Sequence, residues 1–128
     1  MKEELSRAEV QGYYDKEAVT HVNTDASSLE LGALLAQKQG VEFRVIMYAN
    51  RSLTDFERRY SQTEREALAI VWACERLHTY LYGTKFHLVT DHKPLEVNVL
   101  YSKKSNLAAR IERWVLLMQE FDYTFNYN

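Results

Sequence analysis

The stretch Ser61 to Gly83 (SQTEREALAIVWACERLHTYLYG) restricts the fold more than any other part of the chain. At about 100° per residue, Ala67, Ile70, Val71, Cys74, Leu77, His78 and Leu81 fall on one stripe, the spacing of an amphipathic helix. Ser61 and Glu64 form a capping-box pair, in which each side chain satisfies a backbone N–H of the other's residue, and Gly83 is the expected stop. Glu64 therefore has a structural role. Glu66 lies roughly 60° from the centre of the apolar stripe, on its core-facing side, whereas Glu64 lies roughly 100° away on the other flank. A carboxylate placed like Glu66 is costly to bury unpaired. Either it reaches solvent at the rim, or it meets a cation such as a bound metal ion.

The segment that follows, Lys85 to Asp91 (KFHLVTD), is β-prone and ends in an acid. A helix running directly into a strand is an α/β connection, and open α/β sheets place their chemistry at strand ends. Val19 to Asp25 (VTHVNTD) is a second β-prone run closing on an acid, here before small residues. Turn chemistry alone accounts for an Asp at either place. Leu31 to Gln37 and Glu42 to Ala49 flank Lys38-Gln39-Gly40 as a hairpin, with Phe43, Val45 and Met47 alternating against Arg44, Ile46 and Tyr48. Gly32 inside its strand indicates a bulge or a close backbone approach.

Elsewhere, Lys2 to Asp15 reads as a short helical piece ending at Gly12. Thr54 to Glu57 repeats the capping-box pattern ahead of one helical turn, and Pro94 can open a short helix. Leu107, Ile111, Trp114, Val115, Met118 and Phe121 mark a second amphipathic helix, and Asp122 to Asn128 closes the chain as a strand. The expected class is α/β, a mixed sheet with helices packed on it.

With 128 residues, 46% hydrophobic and 27% charged, the chain suits one domain. It has no apolar run long enough to span a bilayer and no signal-peptide pattern, so an intracellular location without membrane contact is the expectation. The single cysteine, Cys74, excludes an internal disulfide and sits on the helix stripe as core filler. A net charge of −2 and a pI near 6.1 argue against tight, metal-free binding of a polyanion. They leave room for an enzyme that meets phosphates through divalent cations. Asp25, Glu66 and Asp91 converge on one rim if the first and fourth strands are neighbours with the helix across them. Hard oxygen ligands of this kind suit Mg²⁺ or Mn²⁺.

The wording of the chain is more specific than its spacing. Asn23-Thr24-Asp25-Ala26-Ser27, Tyr48-Ala49-Asn50-Arg51-Ser52-Leu53-Thr54, Tyr60-Ser61-Gln62-Thr63-Glu64-Arg65-Glu66-Ala67-Leu68-Ala69, Val89-Thr90-Asp91-His92-Lys93-Pro94-Leu95 and Ala109-Arg110-Ile111-Glu112-Arg113-Trp114 resemble the ribonuclease H domain of gypsy-type retrotransposon polyproteins, in unbroken order from Gly12. The resemblance implies a ribonuclease H-like fold, a five-stranded mixed sheet with its first three strands antiparallel, flanked by helices. It implies cleavage of the RNA strand of RNA:DNA hybrids during reverse transcription, with Asp25, Glu66 and Asp91 as catalytic and metal-binding acids for two Mg²⁺ or Mn²⁺ ions. The implied partners are the hybrid and the reverse transcriptase and integrase regions of the same polyprotein, in cytoplasmic retroelement particles.

By the same resemblance, residues 1–16 are a leader from the preceding reverse transcriptase region and residues 17–128 the domain, lacking its C-terminal helix. Relatives carry a fourth metal-binding aspartate on that helix, so one metal site is expected to be incomplete here. Leu29-Glu30-Leu31 departs from the glycine-containing turn of relatives, and Glu30 reads as a solvated turn residue. Lys103, Lys104, Arg110 and Arg113 are either phosphate contacts or ordinary solvated positions. The competing functions are a catalytically incomplete remnant or spacer that only binds hybrid or supports polyprotein architecture, and a related nuclease or integrase acting on DNA.

Overall fold

A computed structural model describes residues 6–10, 13–90 and 108–127. Six strands form one sheet: β1 (Ser6–Val10), β2 (Thr20–Ala26), β3 (Glu30–Gln39), β4 (Glu42–Ser52), β5 (Lys85–Thr90) and β6 (Asp122–Tyr127), in the spatial order β1-β4-β3-β2-β5-β6. The helices are α1 (Gln62–Arg76), the single turn α2 (His78–Leu81) and α3 (Ala108–Met118), with a 3₁₀ turn at Glu57–Arg59. The expected five-stranded mixed sheet is β2 to β6. β2, β3 and β4 are antiparallel, and β5 then runs parallel to both β2 and β6.

β1 corrects the expectation of a helical N-terminal piece. Residues 6–10 pair antiparallel with β4, from Ser6 opposite Arg51 to Val10 opposite Met47. The unpaired N–H and C=O groups of an edge strand offer a ladder that outweighs a weak local helical preference. The residues that follow are also anchored. Buried Gln37 accepts a hydrogen bond from the Asp15 amide (2.9 Å) and donates to the Asp15 carbonyl (2.7 Å) and the Thr20 hydroxyl (2.9 Å). The Tyr14 hydroxyl donates to the Tyr80 carbonyl at 2.7 Å.

β2 alternates as a half-buried strand should, with Val22, Thr24 and Ala26 buried, His21 and Asn23 partly covered and Asp25 exposed. The buried set lies under α1, which packs on β2 and β3, while α3 packs on α1. Val22, Leu35, Ile46, Ile70, Leu77 and Leu88 lie at the centre of the core. Burial of each such side chain contributes about 1.5–3 kcal/mol. Cys74 is among the fully buried residues, and burial pushes its thiol far above the usual range, as suits core filler.

The β3–β4 hairpin turns through Gly40 at φ 74°, a left-handed conformation natural to glycine. Strict alternation in β4 fails. Leu35 pairs with Met47 but Ala36 with Val45, so Ile46 is an extra, bulged residue, and Ile46 and Met47 are both buried. The bulge therefore lies here and not at Gly32.

α1 begins with the expected capping box. The Ser61 hydroxyl accepts from the Glu64 amide (3.2 Å) and the Glu64 carboxylate from the Ser61 amide (2.9 Å). The Thr54–Glu57 pair caps the 3₁₀ turn in the same way. The long helix expected up to Gly83 is interrupted once, at Leu77 (φ −101°, ψ 17°), before α2 and the stop at Gly83 (φ 77°). The helix expected after Pro94, the basic connector with Lys103 and Lys104, and Asp91 and His92 lie outside the described residues.

Candidate active site

Asp25 stands next to the end of β2, on the sheet face away from α1, and is exposed. Its Oδ1 accepts a hydrogen bond from the Ala26 amide at 3.0 Å. Across the antiparallel ladder it faces Gly32, which in turn faces Asn50 of β4. An open cleft of about 500 Å³ runs over this face, lined by Asn23, Asp25, Gly32, Leu34, Tyr48 and Thr90 among others. A Cβ added at Gly32 would meet no atom within 4 Å, so the glycine leaves cleft space beside Asp25 instead of allowing a close backbone approach.

The topological condition for convergence is met. β2 and β5 are parallel neighbours, with His21, Val22 and Asn23 beside His87, Leu88 and Val89, and α1 crosses β2. Thr90, the last residue of β5, lines the same cleft as Asp25.

Glu66 does not reach solvent at the rim, because it is only 3% exposed. Its Oε2 accepts a hydrogen bond from the Gln62 side-chain amide at 2.8 Å, and the same Nε2 donates to the Ala26 carbonyl at 3.3 Å. One amide thus joins the start of α1 to the end of β2, immediately beside Asp25. Gln62 was not singled out from sequence. Its position four residues before Glu66, on the same face of one helix, is the signal that could have found it.

Glu64, the acid assigned to capping, also accepts from Arg110 Nε of α3 at 2.8 Å. Burial alone would raise its pKa, but the Ser61 amide and the Arg110 guanidinium more than offset this and hold the carboxyl below its usual range. Arg110 also lies over the rings of Tyr60 (4.3 Å to the centroid) and Phe56 (5.9 Å). It is engaged within the domain and does not stand out toward a phosphate backbone. Arg113 is exposed on α3. Glu30 is exposed at the start of β3 and lines the cleft. Its turn is held by Ser27, whose hydroxyl accepts from the Leu29 and Glu30 amides.

Asp25 and Glu66 offer only carboxylate oxygens, and one of them faces an open cleft; this donor chemistry fits a hard divalent cation. Among the described residues no three His, Cys, Asp or Glu side chains cluster closely enough to hold an ion. Asp91, the third predicted acid, lies outside those residues.

Residues 15–121 match the family model of the RNase H-like domain found in reverse transcriptase. The chain belongs to this family. Its relatives include the retrovirus-related Pol polyproteins of the Drosophila melanogaster transposons opus, 37% identical over 103 residues, and gypsy, 40% identical over 103 residues. Each of these alignments covers 80% of the chain, but only 10% of the opus and 9% of the gypsy polyprotein, so the chain spans about a tenth of the length of the curated relatives it matches. The likeness to gypsy-type elements drawn from the motifs therefore holds for this RNase H-like domain.

Solved structures share the fold. A foamy viral protease-reverse transcriptase in complex with dsDNA aligns with a TM-score of 0.72 at 18% identity, covering 90% of this chain and 24% of that one. LC11-RNase H1 in complex with an RNA/DNA hybrid aligns with a TM-score of 0.58 at 11% identity, covering 88% and 85%.

Proposed function

We propose that this RNase H-like domain cleaves the RNA strand of RNA:DNA hybrids, with Asp25, Glu66 and Asp91 holding two Mg²⁺ or Mn²⁺ ions. The observation that carries the reading is the Gln62 amide, which bonds both the Glu66 carboxylate and the carbonyl of the residue after Asp25, and so ties the start of α1 to the end of β2 whose Asp25 lines the cleft. A carboxylate as buried as Glu66 is retained only where pairing compensates its desolvation.

In this reading Asp25 presents its carboxylate to the cleft, and Glu66 presents a second one from beneath, held by α1. When bound, the ions would supply charge neutralisation at the scissile phosphate and an activated water. Asn23 and Tyr48, on the same sheet face, offer an amide and a phenol to the 2′-hydroxyls that distinguish RNA from DNA. The hybrid bound by LC11-RNase H1, which has this fold, supports the substrate class. The Pol polyprotein relatives support a domain of such a polyprotein, and the reading includes work beside reverse transcriptase and integrase regions in cytoplasmic retroelement particles.

The test is cleavage of a hybrid labelled on its RNA strand, with Mg²⁺ and Mn²⁺ titrated against the parent chain, Asp25→Asn and Asp91→Asn. Metal-dependent RNA cleavage that both variants lose while remaining folded is the expected result. Equal behaviour of the parent and a folded Asp25→Asn chain would leave a non-catalytic remnant or spacer instead. Cutting of duplex DNA that contains no ribonucleotide would point to the DNA-acting reading.

A further inference from the structure

The orientation of the Gln62 amide is fixed by its surroundings. Arg65 Nη2 donates to Gln62 Oε1 at 2.6 Å, and a guanidinium has no acceptor to offer. The oxygen must therefore face Arg65, which turns the NH₂ toward the Glu66 carboxylate and the Ala26 carbonyl, two groups that only accept. Arg65 is itself anchored, with Nη1 donating to the Tyr60 carbonyl at 2.5 Å. The result is a directional relay in which Arg65 orients Gln62, and Gln62 orients Glu66 while tethering the end of β2.

We propose that Gln62 is a positioning residue, whose amide holds the Glu66 carboxylate in a single orientation and keeps it beside the Asp25 end of β2. The inference rests on the reading of Glu66 as a metal-holding acid, and it goes beyond that reading in assigning Gln62 a role. Ligating carboxylates depend on their hydrogen-bond partners for orientation. Loss of such a partner typically weakens metal affinity by about 10–100-fold.

The direct test is Mn²⁺ binding to the full chain without hybrid, by electron paramagnetic resonance, for the parent, Gln62→Met and Arg65→Met. Methionine keeps the volume and removes the amide. Melting curves establish that each variant is folded. Gln62→Met is expected to weaken Mn²⁺ binding about 10-fold or more and to lower kcat with little change in the KM for hybrid. Arg65→Met, which frees the amide to flip, should give a smaller loss in the same direction. If Gln62→Met raises only KM and binds Mn²⁺ like the parent, Gln62 touches the hybrid directly and the inference falls.

A metal-free measurement separates this inference from the reading beneath it. Side-chain three-bond couplings in nuclear magnetic resonance should show one Glu66 rotamer in the parent and averaging in Gln62→Met. One rotamer in both overturns the proposal. If the parent neither binds Mn²⁺ nor cleaves hybrid, the catalytic reading fails, and the rotamer comparison alone decides the role of Gln62.

Discussion

Gly32 stands directly across the β2–β3 ladder from Asp25, and a Cβ at this position would meet no atom within 4 Å. Packing does not demand the glycine, and its backbone is not in a left-handed conformation. Gly32→Val is expected to leave the fold intact, or to stabilise it slightly, because β-branched residues suit strands. The same variant fills the space beside Asp25, so hybrid cleavage should fall sharply. A melting curve and a cleavage assay on one preparation check both halves of this expectation.

Arg110 carries the main charged link between α3 and the start of α1, through Glu64, Tyr60 and Phe56. Arg110→Ala should lower the melting temperature. Arg110→Lys should recover only part of the loss, since lysine keeps the charge but neither the planar fork nor the ring stacking. Thermal unfolding of the two variants in parallel measures the difference.

Gln37 is buried and fully hydrogen-bonded between residue 15 and Thr20. Gln37→Leu removes three hydrogen bonds and leaves the buried Thr20 hydroxyl with only its bond to the Ala18 carbonyl (3.0 Å), at an expected cost of about 1–3 kcal/mol. Urea unfolding should show a lower midpoint at unchanged slope.

His21 packs between Phe43 (4.4 Å between ring centroids) and His87 (5.0 Å) on the open sheet face. Burial, and then the neighbouring charge of His87, lower its pKa below the ordinary 6.5. The unfolded chain therefore takes up this proton first. The stability that His21 contributes is complete above about pH 6.5 and declines as pH falls below it. Glu57 and Glu64, both lowered from 4.5, add their own losses only at more acid pH. His21→Phe should flatten the slope just below pH 6.5 and leave the acid limb in place, as read from denaturant midpoints across pH.

What could be read from the residues alone depended on whether the information was local. The stripe from Ala67 to Leu81, the two capping boxes and the core-facing side of Glu66 all follow from spacing along one helix or turn. The β2–β5 pairing, on which the expected convergence of Asp25, Glu66 and Asp91 is conditional, is what an α/β connection would produce. Apart from the break at Leu77, the misreadings were long-range. Residues 6–10 look helical until β4 is there to pair with them. Arg110 looks available to a phosphate until Glu64, 46 positions earlier, is folded beneath it. Gln62 looks like one more polar residue in a first turn until the Ala26 carbonyl arrives from a different element.

The bulge at Ile46 makes β4 a strand in two phases. Tyr48 faces the cleft with Asp25, and beyond the extra residue Phe43 and Val45 line that same open face, beside His21. Removing Ile46 would restore a plain ladder with the same partners, Ala36 opposite Val45 and Lys38 opposite Phe43, and so leave Val45 and Phe43 on the open face. The strand thus holds one residue in reserve. A single deletion is absorbed by the bulge and keeps the facing of Phe43 and Arg44, whereas a second deletion, with no bulge left, exchanges the two surfaces of half the strand, so the open face constrains how the gene can vary here even at positions that touch neither carboxylate.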